Sequence, residues 1–114
     1  MHELSLTQSV IRIVEQEAAR QGFATVKTVW LEIGELSSVL PDAMEFCFQA
    51  VAAESPVAKG AKLEILRVPG TAWCLDCAQS HPIAQRFDPC PACGGHHLTV
   101  TSGEEMRIKE MEVA

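Results

Sequence analysis

Cys74-Leu75-Asp76-Cys77 and Cys90-Pro91-Ala92-Cys93 are two Cys-x-x-Cys pairs with twelve residues between them. At that spacing four thiolates sit on two turns that face each other across one tetrahedral ion, which predicts a structural zinc held by Cys74, Cys77, Cys90 and Cys93. Pro91 pre-sets a turn φ, and Gly94-Gly95 let the chain go left-handed after Cys93, so that backbone N–H groups point at the sulfurs. Ala78 holds the matching place after Cys77 and is less suited to it. Two other readings compete. Disulfides are disfavoured because the chain shows no secretory signal, which places its thiols in a reducing compartment. A redox pair is usually single and opens a helix in a βαβ setting, whereas here two pairs stand in a loop-rich stretch. Four protein ligands leave no open coordination position, so this zinc would hold a fold and not catalyse.

Outward from that stretch, 114 residues with an apolar fraction of 47% make one small domain, or one domain carrying a satellite. The net charge of −6 and a pI near 5.1 argue against nucleic acid or an anionic membrane as the main partner, since phosphate binding needs clustered Lys and Arg. The cysteine stretch itself sets Asp76 and Asp88 against Arg86. Met-His-Glu-Leu-Ser at the start lacks the basic and apolar regions of a signal peptide, and no apolar run is long enough to span a bilayer, so a cytoplasmic protein is expected.

From Leu6 the apolar residues Leu6, Val10, Ile13, Val14 and Ala18 recur at helical spacing, and Gly22 is placed to stop the helix in the left-handed conformation. Val26 to Ile33 reads as a strand, with Val29, Leu31 and Ile33 on one face. Pro41 opens a second helix whose stripe is Met44, Cys47, Phe48 and Val51, widened by Phe46 and Ala50. Ala61 to Val68 is a second strand with a parity change. Met106 to Val113 is a third, with another at Lys109-Glu110. The expected fold is therefore α+β, a three-stranded mixed sheet with two helices plus an inserted zinc-ribbon-like four-cysteine domain. The boundaries fall at 1–69 and 101–114 for the α/β part and at 70–100 for the insert. Within the insert Trp73, Leu75, Ile83, Phe87 and Leu98 are too few to bury enough surface, so the metal must supply the rest of its folding energy.

Cys47, between Phe46 and Phe48, is expected to be a buried, inert thiol. His81, His96 and His97 lie in or beside the cysteine stretch, where histidine can exchange with a thiolate or contact it with pH; a solvated loop residue is the plainer reading. No Ser/His/Asp or paired-carboxylate pattern is visible, so no enzyme is expected. At the other end, the α-amine of Met1, the imidazole of His2 and the amide between them are adjacent nitrogen donors, with Glu3 adding an oxygen or an amide. Such a set suits Ni(II) or Cu(II) better than zinc. The plain alternative is a frayed terminus with no ligand.

The chain resembles the HypA/HybF family of hydrogenase nickel incorporation proteins from end to end. Met1-His2-Glu3-Leu4-Ser5 is similar to the family's opening, Leu31-Glu32-Ile33-Gly34-Glu35-Leu36 to its first strand and exit, Met44-Glu45-Phe46-Cys47-Phe48 to its second helix, and the two Cys-x-x-Cys pairs to its zinc loop. The resemblance implies a nickel metallochaperone that binds Ni(II) through Met1, His2 and Glu3. With a HypB-type GTPase it would pass the metal to the large subunit of a [NiFe]-hydrogenase, as a monomer or dimer. Cys74, Cys77, Cys90 and Cys93 would take the structural zinc roles, and His81 and His96 are placed roughly where some members carry histidines that alter the zinc site with pH. The alternative of another class is a zinc-ribbon interaction scaffold that does not handle nickel. The two differ at the N-terminus, because a scaffold has no use for a free amine beside His2.

Overall fold

A computed structural model describes residues 2–114. Helix α1, His2–Gln21, buries Thr7, Val10, Ile11, Val14 and Ala18. The expected stripe is therefore rotated: Ile13 is 46% exposed, and Thr7 replaces it in the interior. A threonine is tolerated there because its hydroxyl donates to the Glu3 carbonyl at 2.8 Å, one turn back along the helix. Gly22, at φ +80°, ends the helix as expected, its N–H reaching the Ala18 carbonyl at 2.8 Å.

Strand β1, Val26–Gly34, places Val29, Leu31 and Ile33 fully inside. Helix α2, Pro41–Ala52, opens on proline and buries Met44, Cys47, Phe48 and Ala52. Phe46 does not widen this stripe. It follows Met44 by two residues, about 200° round the helix, and is 78% exposed. Strands β2, Lys62–Val68, and β6, Met106–Val113, flank β1 in the order β2-β1-β6. The Glu35 N–H reaches the Val68 carbonyl, which brings the ends of β1 and β2 together as in a parallel pair. Gly34 N–H to Glu105 and Ala114 N–H to Thr25 match opposite ends of β1 and β6, so that pair is antiparallel. The fold is α+β with a three-stranded mixed sheet and two helices, as the sequence predicts.

The chain forms two compact units. The first takes residues up to Leu31, Val39–Ile65 and Ile108–Ala114, and its interior is Val10, Val14, Val29, Leu31, Met44 and Phe48. The second takes Glu32–Ser38 and Leu66–Arg107, a span that includes the predicted insert. It holds a second sheet in which β3, Thr71–Cys74, lies between β4, Gln79–Pro82, and β5, Leu98–Ser102. Both pairings are antiparallel, with Trp73 opposite Ser80 on one side and Thr99 on the other. Periodicity does not announce these four- and five-residue strands. Beneath them Leu36, Ala72 and Ile83 form a small core with Leu98 and Val100 against it. Of the five large apolar residues in the predicted insert, Ile83 and Leu98 face inward, while Trp73, Leu75 and Phe87 are 40%, 66% and 92% exposed.

Three glycines let three backbone segments of the second unit cross. A Cβ on Gly34 would overlap the Gly103 carbonyl, one on Gly103 would stand 2.6 Å from Gly70 Cα, and one on Gly70 would stand 2.5 Å from Leu36 Cγ. Gly103 also has φ +91°. Gly103→Ala is expected to destabilise the protein by about 3 kcal/mol, from left-handed strain plus backbone overlap. Urea titration followed by tryptophan fluorescence would measure it, and an unchanged midpoint would refute the crossing as a constraint.

Candidate metal centre

Each Cys-x-x-Cys pair folds back on its own first sulfur. In the first, Cys77 N–H donates to Cys74 Sγ at 3.4 Å, and Ala78 N–H closes the turn on the Cys74 carbonyl at 2.8 Å. In the second, Cys90 Sγ accepts the backbone N–H groups of Cys93 and Ala92, and Gly94 N–H reaches the Cys90 carbonyl at 2.8 Å. Both turns exit through the left-handed region, Ala78 at φ +53° and Gly94 at φ +73°. The β3 end carries Cys74, and Leu75 N–H to the His97 carbonyl at 2.9 Å holds the first turn beside the end of the second loop.

The four sulfurs converge, all within 4.8 Å of one another. Cys74 Sγ lies 3.8 Å from Cys93 Sγ, and Cys77 Sγ lies 3.8 Å from Cys90 Sγ. Four sulfurs at about 2.3 Å from a tetrahedral zinc would stand about 3.8 Å apart, so the cluster is already at ligand spacing. A disulfide needs about 2.05 Å, and all five cysteines are free. Electrostatics agrees with the need for a cation. The N–H groups of Cys93 and Ala92 bring Cys90 down to about 6 against the opposing pull of burial. Cys77, beside Cys93 and Cys74, is pushed up to about 12. Four thiolates repel one another until a dication neutralises them, and zinc would bind with release of the remaining protons.

Cys74 and Cys90 are buried and Cys93 is exposed. Among the described residues the group able to hold an ion contains these four cysteines and no histidine. His97 instead meets Asp76, Nδ1 to Oδ2 at 2.9 Å, across the two loops, a pairing that sequence separation hides. Gly95 sits where a Cβ would press on Asp76 Oδ2 at 3.2 Å and Cys93 Sγ at 3.4 Å. His96 lines a cavity away from the sulfurs with Ile83 and Leu98, and His81 has a buried Nε2 without a partner. Cys47 is buried in α2, as expected. Because Ala78 carries a Cβ in a conformation that disfavours one by about 1–2 kcal/mol, Ala78→Gly is expected to raise the melting temperature of the zinc-loaded protein by a few degrees. A lowered temperature would show that the first turn is not strained.

At the other end, Met1 lies outside the described residues. His2 and Glu3 begin α1 side by side, His2 Nδ1 standing 3.8 Å from Glu3 Oε2, with the His2 side chain 55% exposed. Glu3 Oε2 also accepts the Leu40 N–H at 3.4 Å. Its own backbone N–H, then that of Leu40, hold its carboxyl below the ordinary 4.5. Helix α1 starts at His2, and the first N–H groups of a helix have no intrahelical partner. A donor set using the amide nitrogen there breaks no helical bond.

Comparison with known proteins gives a consistent match. The family described as "Hydrogenase/urease nickel incorporation, metallochaperone, hypA" matches residues 1–113. The chain is 58% identical to the hydrogenase maturation factor HypA of Rhodopseudomonas palustris over 99% of both chains. It is equally similar, 58% over 99% of both, to hydrogenase maturation factor HypA 2 of Bradyrhizobium diazoefficiens. Its structure resembles the solution structure of the nickel metallochaperone HypA from Helicobacter pylori, with a TM-score of 0.72, 27% identity, and coverage of 97% of this chain and 96% of that one.

Proposed function

Because this chain belongs to the HypA family of hydrogenase maturation factors, nickel metallochaperones whose role is nickel delivery, we propose that it carries Ni(II) on Met1, His2 and Glu3. The observation that carries the reading is the approach of His2 Nδ1 to Glu3 Oε2 at the exposed start of α1. An imidazole, an unbonded helix-start amide and a carboxylate there would complete a set with the Met1 α-amine. Nitrogen-rich donors of this kind suit Ni(II). A chaperone must also release its cargo, and an exposed site whose ligands compete with protons serves that better than a buried cage.

In this reading residues 1–69 and 101–114 are the nickel-binding domain, and 70–100 is the zinc domain, with zinc on Cys74, Cys77, Cys90 and Cys93. Nickel passes, with a HypB-type GTPase, to the large subunit of a [NiFe]-hydrogenase in the cytoplasm, and the protein performs no catalysis of its own. Free cysteines fit a reducing compartment. Among the described residues no helix is long and apolar enough to cross a membrane.

Native mass spectra of untagged, zinc-loaded protein across a Ni(II) titration test the proposal. One nickel per chain with zinc retained is the expected result. Nickel bound only as zinc leaves, or not at all, would overturn it in favour of an interaction scaffold.

A further inference from the structure

Helix α2 begins without a cap of its own. Its opening reads Leu40-Pro41-Asp42-Ala43, and Leu40, in the position where Ser, Thr, Asp or Asn usually accepts from the first turn, makes no side-chain hydrogen bond there. In a capping box the third helical residue is Glu or Gln, and its side chain reaches back to the N–H of the capping residue. Here that third residue is Ala43, which cannot reach. The acceptor comes instead from another helix. Glu3, 37 residues earlier in α1, takes the Leu40 N–H on Oε2 at 3.4 Å.

The same oxygen is the one beside the imidazole, since Glu3 Oε2 stands 3.8 Å from His2 Nδ1. Of the two side chains Glu3 is the more enclosed, 13% exposed against 55% for His2. A second tie lies alongside. The Thr7 hydroxyl donates to the Glu3 carbonyl at 2.8 Å and lies 3.7 Å from Met44 Sδ, and the Met44 N–H reaches the Leu40 carbonyl at 3.0 Å. Glu3, Leu40, Met44 and Thr7 thus close a ring between the first turns of α1 and α2, both within the first unit. Leu40 is 63% exposed, so the ring uses its backbone and not its side chain. A carboxylate oxygen has lone pairs enough to accept an N–H and bind a metal at once, and carboxylates that ligate metals are commonly oriented by such a hydrogen bond.

We propose that the Leu40 N–H is a positioning group for the nickel site, holding the Glu3 carboxylate beside His2 where the cargo arrives. The inference rests on the reading of Met1, His2 and Glu3 as that site, and it adds a part of α2 that does not touch the metal. The coupling runs both ways. Displacing Leu40 loosens the carboxylate, and nickel bound there steadies the start of α2.

Isothermal titration of Ni(II) into the untagged, zinc-loaded full chain tests this with two variants. Ala43→Gln gives α2 its own capping side chain, which competes for the Leu40 N–H. Leu40→Pro deletes the N–H at a residue whose φ of −92° is close to the proline range. Each should weaken nickel binding about tenfold or more, and Ala43→Gln should do so without lowering the melting temperature. In nickel-free protein, Glu3→Ala should speed amide exchange at Leu40 at least about tenfold. Parent protein that takes up no nickel while keeping its zinc would defeat the reading of the site, and this inference with it. Parent protein that binds nickel, with either variant binding it equally tightly or with amide exchange at Leu40 indifferent to Glu3→Ala, would overturn the positioning role and leave that reading standing.

Discussion

Cys74→Ala protein is expected to lose zinc and, with it, the ordered structure of the unit built from Glu32–Ser38 and Leu66–Arg107, while α1 and α2 persist. The magnitudes decide this. In that unit the large apolar side chains taken out of water are Ile33, Leu36 and Ile83, worth about 1.5–3 kcal/mol each, and Ile33 belongs to β1, so it stays with the sheet of the first unit. A structural zinc contributes an apparent 10–16 kcal/mol or so at neutral pH. Without the ion the four sulfurs cannot all ionise side by side: neighbouring sulfurs push Cys77 up to about 12, while backbone N–H groups bring Cys90 down to about 6, so only weak S–H···S contacts at 3.8 Å are left to close the cluster. Cys74 is the ligand to remove, being fully buried and also the acceptor for the Cys77 N–H. The first unit keeps its own interior, with Val14, Met44 and Phe48 fully inside. Amide NMR should therefore show collapsed dispersion for residues 66–107 and retained signals for α1 and α2. Zinc-free protein with a native spectrum throughout would count against this account.

The second large effect is expected at the opposite end of the chain. Any residue fixed before Met1 turns its amine into an amide and removes one donor, and His2→Ala removes another. Either change should weaken Ni(II) binding by more than about tenfold, that is by more than about 1.4 kcal/mol. Zinc content and circular dichroism should not move. Two of the contacts that seat the start of α1 are the Glu3 carboxylate on the Leu40 N–H and the Thr7 hydroxyl on the Glu3 carbonyl. Neither involves the amine or the imidazole. Isothermal titration of tagged, untagged and His2→Ala proteins would decide, and equal affinities across the three would remove Met1 and His2 from the site.

Much of this was legible in the sequence wherever a pattern was local. The cysteine spacing announced the cluster, Gly22 and Pro41 marked helix ends, and Val29, Leu31 and Ile33 alternated onto a buried face. What was not legible depended on distant partners. Strands β3, β4 and β5 are four or five residues long, and their positions follow from backbone pairing and the metal turns, not from alternating apolar residues. Leu36 falls outside every apolar stripe read from the sequence, yet it lies under the second sheet because Ala72 and Ile83 come to it. Thr7 reads as polar and is buried, because a carbonyl one turn back satisfies it. Phe46 and Phe87 show the converse: a large ring does not reach the interior when its backbone places it elsewhere, Phe46 about 200° round the helix from Met44 and Phe87 on a turn at φ +69°.

The place of Leu36 also bears on how the protein is made. At about 5–20 residues per second, Leu36 emerges from the ribosome several seconds before Ile83, and the last cysteine follows later still. During that interval the segment has no partner, and the residues that will cover it cannot hold their shape until a metal ion closes the cluster. Binding of an ion soon after the last cysteine emerges is therefore the expected route by which Leu36 is covered.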